Sequence, residues 1–137
     1  GNERQQIELK RNIEKQVRLH VNAQYKVDAQ KKRLLVGQKA RHEFDLYDPN
    51  KVIGGISTSP WQCSTGSNNS GGQDRVSAEL LWLSVWEGNE RRIMVLTNHE
   101  MATNLFDRWE GCKFVHPIEI IYYNSSQKSF EPIGKLK

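Results

Sequence analysis

The chain has 137 residues, of which 36% are hydrophobic and 26% are charged. This size and composition fit one globular domain and exclude collagen, a coiled-coil rod and wholesale disorder. Residues 1–42 hold 11 Lys and Arg against 4 Asp and Glu, whereas residues 43–137 hold 9 against 12. This asymmetry favours a polyanionic partner for the N-terminal part, with a solvated helix followed by a basic turn as the alternative.

The first predicted element is a long amphipathic helix over residues 3–27. This segment contains no Gly or Pro, and an apolar residue recurs at every fourth position, which predicts one apolar stripe. The members of this stripe are Leu9, Ile13, Val17 and Val21. The polar residues 28–33 are predicted to form a connector, and they end in three consecutive cations: Lys31, Lys32 and Arg33.

Three short strands joined by tight turns are predicted next. Residues 34–36 form an apolar strand, and residues 39–47 alternate in polarity, which is typical of a strand with one covered face. The covered face would carry Ala40, His42, Phe44 and Leu46, and the other face Arg41, Glu43, Asp45 and Tyr47. On the covered face, the histidine is predicted to be a hydrogen-bonded core residue. The β-branched residues 52–58, which follow a turn at residues 48–50, complete a predicted meander.

A flexible loop is predicted over residues 59–73, because Ser, Thr, Gly, Asn or Pro occupies 11 of its 15 positions. No charged side chain occurs between Val52 and Gln73. The third strand and the loop after it therefore offer no acid or cation for chemistry.

The last part of the chain is predicted to alternate helices and strands. A helix begins after Asp74 and ends near Gly88, and a second helix follows Asn98 and ends at Gly111. Two apolar runs, residues 92–97 and 118–123, predict strands. The order α-β-β-β-α-β-α-β favours one α/β domain over residues 1–137, with a mixed sheet flanked by helices on both faces.

The order of elements and two strand motifs resemble the PD-(D/E)XK nuclease superfamily, whose members share the restriction-endonuclease-like fold. The motifs are His42-Glu43-Phe44-Asp45 in the second strand and Val-Ile-Gly-Gly-Ile-Ser-Thr, residues 52–58, in the third. The resemblance covers most of the chain, and the α-β-β-β-α-β core carries more of it than either motif does.

The resemblance implies a degenerate active site. In the family, an Asp on the second strand and an acid on the third hold Mg²⁺. A Lys two residues further on helps to activate water, and a Glu of the first helix often assists. Asp45 matches the first acid, Gly55 stands in the place of the second, and Ser57 stands in the place of the Lys. Glu14, or less closely Glu8, matches the helix acid.

Two other carboxylates are candidates to restore a site. Glu43 is predicted to share a face with Asp45, and Glu79 of the next helix is a more remote candidate. We expect no cofactor, and Mg²⁺ would bind at Asp45 only if such a residue supplies a substitute ligand. The alternative for Asp45 is a structural acid that caps a turn or pairs with an Arg.

The expected function is that of a catalytically inactive nuclease-like domain that binds nucleic acid non-specifically. Phosphate contacts of this kind carry no sequence information. The cations predicted to make them are Lys31, Lys32, Arg33, Lys39 and Arg41. A protein-interaction or structural domain without nucleic-acid binding is the alternative, and an unorthodox metal-dependent nuclease is the third hypothesis.

The remaining expectations concern compartment and assembly. The His and Cys residues lack the spacing of zinc ligands, and Cys63 and Cys112 are expected to be reduced in the cytoplasm. The sequence has no apolar run of membrane-spanning length and no signal-peptide pattern at its start. The sequence does not specify the oligomeric state, although Trp61 and the first helix are candidate surfaces for a homodimer.

Overall fold

The computed structural model describes residues 1–137. Three helices and six strands follow one another along the chain. They are α1 Asn2–Tyr25, β1 Gln30–Leu35, β2 Arg41–Asp48, β3 Val52–Ser57, α2 Ser70–Val85, β4 Arg91–Leu96, α3 His99–Trp109, β5 Ile118–Asn124 and β6 Ser129–Leu136. Each predicted helix and strand is present, and β6 is an additional strand that we did not predict. The predicted connector is too long, because residues 30–33 belong to β1.

The six strands form one mixed sheet in the order β1-β2-β3-β4-β5-β6. β1, β2 and β3 form the predicted antiparallel meander. β4 and β5 run parallel to β3, each reached through a crossover helix, and β6 pairs with β5 as an antiparallel hairpin. The prediction of an α/β protein with a mixed sheet is confirmed.

The strand β6 was missed because its sequence contains Pro132 and Gly134 and lacks regular alternation. Both residues are tolerated at this edge of the sheet. The pairing with β5 shifts register between Ile120 and Ile121, where Pro132 enters the ladder. At Gly134 the ring of Phe106 occupies the space of a Cβ atom, so a side chain there would collide with α3.

The buried side chains form two clusters, and successive side chains of β4 belong alternately to one cluster and to the other. Met94 and Leu96 belong to a cluster that includes residues of α2 and α3, whereas Ile93 and Val95 belong to a cluster with α1. A strand buried in this way reads as a continuous apolar run, as predicted for residues 92–97.

Both predicted faces of β2 are wrong beyond Phe44. Phe44 and Tyr47 pack in or against the cluster of α2 and α3, whereas Leu46 packs in the cluster of α1. Lys32 pairs with Phe44 and Gln30 pairs with Tyr47, so two residues of β2 lie opposite Lys31. This β-bulge reverses the alternation of side chains at Asp45.

The predicted apolar stripe of α1 is correct only in its second half. Val17 and Val21 are fully buried, but Leu9 is 61% exposed. Residues 1–12 are all exposed. The helix ends at Tyr25, two residues before the predicted boundary, because Lys26 adopts the left-handed conformation.

The predicted loop at 59–73 is shorter than expected, because α2 begins at Ser70 rather than after Asp74. The side chain of Asn69 accepts a hydrogen bond from the backbone N–H of Gly72 and caps the helix. Gln73 is buried and donates to the carbonyl of Trp61 and to the side chain of Asn68. These hydrogen bonds stabilise a helical turn that the Ser-Gly-Gly composition does not predict. The flexibility of residues 59–69 stays a prediction.

Candidate functional site

Asp45 lies where β2 and β3 separate. The pairing of these strands ends at Leu46 opposite Gly54. Beyond that pair, Oδ2 of Asp45 accepts a hydrogen bond of 2.9 Å from the backbone N–H of Ile56. The Asp45 carboxylate therefore bonds β3 at the point where the backbone ladder stops.

A cleft of about 200 Å³ opens beside Asp45, between α1, α2 and the end of β3. Three of the residues predicted for the degenerate site, Glu14, Asp45 and Ser57, line it together. Its further charged residues are Lys10, Arg75 and Glu79. Glu43 is not among the lining residues. It lies on the exposed surface, with its carboxylate 3.8 Å from the amine of Lys31.

Gly55 is buried behind this cleft, next to Glu79. A Cβ atom on Gly55 would lie 3.1 Å from Oε2 of Glu79 and 3.0 Å from the sulfur of Met94. The carboxylate of Glu79 is thus adjacent to the backbone position where the family resemblance places the second acid. Glu79 lies three residues after Val76 and one residue before Leu80, both of which are buried. This position beside the buried stripe of α2 was the sequence signal that Glu79 lies close to the sheet.

His42 engages both oxygens of Glu79. Its Nε2 lies 2.8 Å from Oε1 and 3.1 Å from Oε2. The imidazole stacks flat on Trp82, with ring centroids 4.6 Å apart, and meets Phe44 edge-on at 4.8 Å. His42 is therefore half-buried and hydrogen-bonded, although its partner is an acid of the cleft.

The environment of the cleft raises the pKa of two carboxyl groups. Burial raises the pKa of Asp45, and the negative charge of Glu14 adds to this, against the N–H of Ile56, which favours the ionised form. Burial also raises the pKa of Glu79, with a smaller contribution from Asp45, against the hydrogen bond and charge of His42. Raised carboxyl pKa values at neighbouring groups are typical of binding and catalytic sites.

Two carboxylates of the cleft already have partners within the protein. Mg²⁺ demands near-octahedral oxygen coordination and is usually bound by one or two carboxylates together with waters and substrate phosphates. One oxygen of Asp45 already accepts the Ile56 N–H, and both oxygens of Glu79 contact His42. No group of three or more His, Cys, Asp and Glu side chains is placed to hold a metal ion.

A larger groove of about 680 Å³ adjoins the cleft and runs between α1 and β1. Glu14 lines both of them. Four cations line the groove against two acids, Glu14 and Asp28; the cations are Arg11, Lys15, Arg18 and Lys31. The guanidinium of Arg18 donates to the backbone carbonyl of Asp45, with Nη2 at 3.2 Å, and so connects the groove to the cleft.

Of the cations predicted to bind phosphate, only Lys31 lines the groove. Lys32, Arg33, Lys39 and Arg41 are exposed on β1, on the following turn and at the start of β2. The cations of α1 were not predicted as contacts. Their spacing was the available signal, because Arg11, Lys15 and Arg18 are separated by four and three residues and share a helix face.

Comparison of the chain with protein-family models, with curated proteins and with solved structures found no match. None of the three helices combines the length and the apolar character that a bilayer crossing demands. Cys63 and Cys112 are both exposed and form no disulfide.

Proposed function

We propose that this protein is a nuclease-like domain that binds the phosphate backbone of nucleic acid without cleaving it. The proposal includes a restriction-endonuclease-like arrangement, with α1 on one face of the sheet and α2 and α3 on the other. The assignment of Val17 and Val21 to one buried cluster and of α2 and α3 residues to the other supports this layering.

The groove between α1 and β1 is the observation that carries the proposal. Its cations outnumber its acids by four to two, and only two of its ten lining residues, Leu19 and Ala29, are hydrophobic. Such a lining suits contacts to phosphate and sugar, which are independent of sequence. It offers no aromatic platform on which bases could stack.

The absence of cleavage follows from the chemistry of the cleft. Ser57 stands where the family resemblance expects the Lys, and a hydroxyl cannot supply its positive charge. The carboxylates beside it are already engaged by the Ile56 N–H and by His42. Loss of one preorganised charge-stabilising group typically lowers a rate by about 10²–10³-fold, and here β3 supplies neither the second acid nor the Lys of the family. Glu79 lies next to Gly55, where the resemblance places the second acid, and this position favours the nuclease hypothesis. The contact of its oxygens with His42 opposes that hypothesis.

A salt titration tests the groove. If the four cations of the groove contact phosphates, the logarithm of the association constant falls with that of the salt concentration with a slope of about −3 to −4. Replacing Arg11, Lys15 and Lys31 with Ala should reduce the magnitude of this slope by about two to three. A variant with Lys128, Lys135 and Lys137 replaced by Ala loses the same charge on the β5–β6 hairpin and in the C-terminal residue, and should keep a slope close to that of the wild type.

The exposed cations of β1 form a second arm of the same titration. Replacing Lys32 and Arg33 with Ala should reduce the magnitude of the slope by about one to two if these cations extend the contact beyond the groove. Binding to single-stranded, duplex and branched probes should be similar after allowance for charge density. Failure of all three probes to bind at low salt would contradict the proposal and favour the protein-interaction alternative.

A cleavage assay on the same probes tests inactivity. We expect no product with Mg²⁺ or Mn²⁺. Metal-dependent cleavage by the wild type that is abolished by Asp45→Ala would contradict the inactive-domain proposal and favour the third hypothesis, an unorthodox nuclease.

A further inference from the structure

We propose that His42 occupies the place of a divalent metal in the cleft by contacting both oxygens of Glu79, and that it thereby closes the site to metal. The proposal deepens the proposed function and rests on it, because the metal-holding acids of the PD-(D/E)XK superfamily are its reference. It concerns the chemistry of one side-chain pair, so it can be measured in the absence of nucleic acid.

The first argument is the geometry of the pair. The Nε2 atom of His42 lies within hydrogen-bond distance of both carboxylate oxygens of Glu79. A single point donor placed between the two oxygens covers the bidentate position that a hard cation would take. The side chains of both residues are only about one-fifth exposed, at 18% and 23%, so solvent does not readily replace this contact.

The second argument is that the imidazole is held in place from outside the pair. His42 lies between the face of Trp82, at an interplanar angle of 6°, and the edge of Phe44. Trp82 lies on α2, three residues after Glu79, so the same helix supplies the carboxylate and the stacking surface. This packing fixes the ring beside Glu79 and opposes its rotation out of the cleft.

The third argument concerns the other side chains of the cleft that a metal ion would meet while His42 contacts Glu79. One oxygen of Asp45 accepts the Ile56 N–H. Glu14 is the other carboxylate of the cleft. Two cations, Lys10 and Arg75, line the same cleft and oppose the approach of a further positive ion. The groups around Asp45 and Glu79 are therefore arranged against a bound metal ion rather than for one.

Removal of the imidazole should open the site. In His42→Leu the oxygens of Glu79 lose their hydrogen-bond partner while remaining next to Asp45, and a partly buried carboxylate without a partner favours the capture of a cation. Because the wild type must break the contact between His42 and Glu79 before Glu79 can bind a metal, we expect Mn²⁺ to bind this variant at least ~10-fold more tightly than the wild type.

The experiment is a titration of the purified full chain with Mn²⁺, followed by the electron paramagnetic resonance signal of the free ion near neutral pH. The variants are the wild type, His42→Leu, His42→Gln and the double variant His42→Leu/Glu79→Gln. We expect weak binding by the wild type, a gain in His42→Leu, and loss of that gain in the double variant. His42→Gln retains a neutral donor and should show a smaller gain, and it carries the test if the Leu variant does not fold by circular dichroism.

Two results would overturn the proposal. One is wild-type binding of Mn²⁺ as tight as that of the folded His42 variants and sensitive to Asp45→Asn, since the cleft would then already be open. The other is a folded His42 variant with no gain in affinity. The proposed function would fail differently, through loss of nucleic-acid binding in the salt titration, which uses no metal.

Discussion

Charged side chains lie next to the core at both ends of β3, but the surroundings of these charges differ between the two ends. At the start of β3, the neighbouring strand β4 brings in Arg92 and the preceding Glu90, which are 6% and 5% exposed. At the far end lie Asp45 and Glu79 of the cleft. A comparison of the two ends separates charges that stabilise the fold from charges that are available for binding.

At the first end the buried charges are extensively hydrogen-bonded, although burial lowers the pKa of Arg92 against the opposing charges of Glu90 and Glu87. The guanidinium of Arg92 donates to four backbone carbonyls, those of Leu83, Trp86, Gly88 and Glu90, and so fixes the connection from α2 to β4. Burial alone would raise the pKa of Glu90. Hydrogen bonds from the Trp86 indole and the Asn50 N–H outweigh burial and lower it.

At the second end the environment disfavours ionisation. Burial and neighbouring carboxylates raise the pKa of Asp45 and Glu79. The Ile56 N–H, Lys31 and Arg18 offset part of this at Asp45, and His42 offsets part of it at Glu79. Unfavourable charge placement of this kind lowers stability and is commonly retained for function. Burial of a charge alone therefore does not identify a candidate site, and the raised pKa values of two neighbouring carboxyl groups are what distinguish the cleft end.

The largest expected effect is at the first end. Arg92→Met removes all four carbonyl hydrogen bonds, and loss of one partner from a buried charged network typically costs about 3–5 kcal/mol. Urea denaturation should show this loss in the free energy of unfolding. Arg91→Met is the control, because Arg91 pairs with Glu119 on the surface and the change should cost about 1 kcal/mol or less. Equal losses in the two variants would contradict the structural role of Arg92.

The next effect separates two adjacent glycines of β3. A Cβ on Gly54 would lie 2.5 Å from the backbone oxygen of Ile93, which cannot move without disturbing the sheet, so Gly54→Ala should cost roughly 1–3 kcal/mol. At Gly55 the nearest atoms belong to the flexible side chains of Met94 and Glu79. Gly55→Ala should therefore cost less in thermal denaturation. A larger loss at Gly55 would mean that the cleft end is the more rigid of the two.

A smaller effect tests whether the negative charge of Asp45 destabilises the folded protein. Between the usual pKa of Asp45 and its raised value, the folded protein binds more protons than the unfolded chain, so stability falls as pH rises through this window. Asp45→Asn removes the buried charge while an amide oxygen can still accept the Ile56 N–H. The variant should thus be as stable as the wild type or more stable near neutral pH, and its relative advantage should disappear at acid pH.

Unfolding of both proteins in urea across this pH range measures the difference. Glu79→Gln is a less clean comparison because it also alters the contact with His42. An Asp45→Asn variant that is destabilised near neutral pH, and less so in acid, would show that the ionised carboxylate stabilises the fold.

The sequence predicted the order of elements up to β5 because alternation and apolar runs report burial directly. The sequence did not predict the β-bulge at Asp45 and Leu46, where one extra residue changes the register. It also did not predict the edge strand β6, because Pro132 and Gly134 are not typical of strands. The proximity of Asp45 and Ser57 could be predicted because adjacent strands determine it. The contact between His42 and Glu79 could not, because it depends on how α2 is rotated and placed against the sheet.

The most direct test of the proposed binding groove is a map of nucleic-acid contacts by amide chemical shifts. We predict that a short duplex perturbs the amides of residues 10–18 and 30–31 and of Asp45, in proportion to its concentration. Residues 90–92 at the other end of β3 should be unaffected. Perturbation at residues 90–92 with none along α1 would contradict the account, as would an unchanged spectrum at low salt.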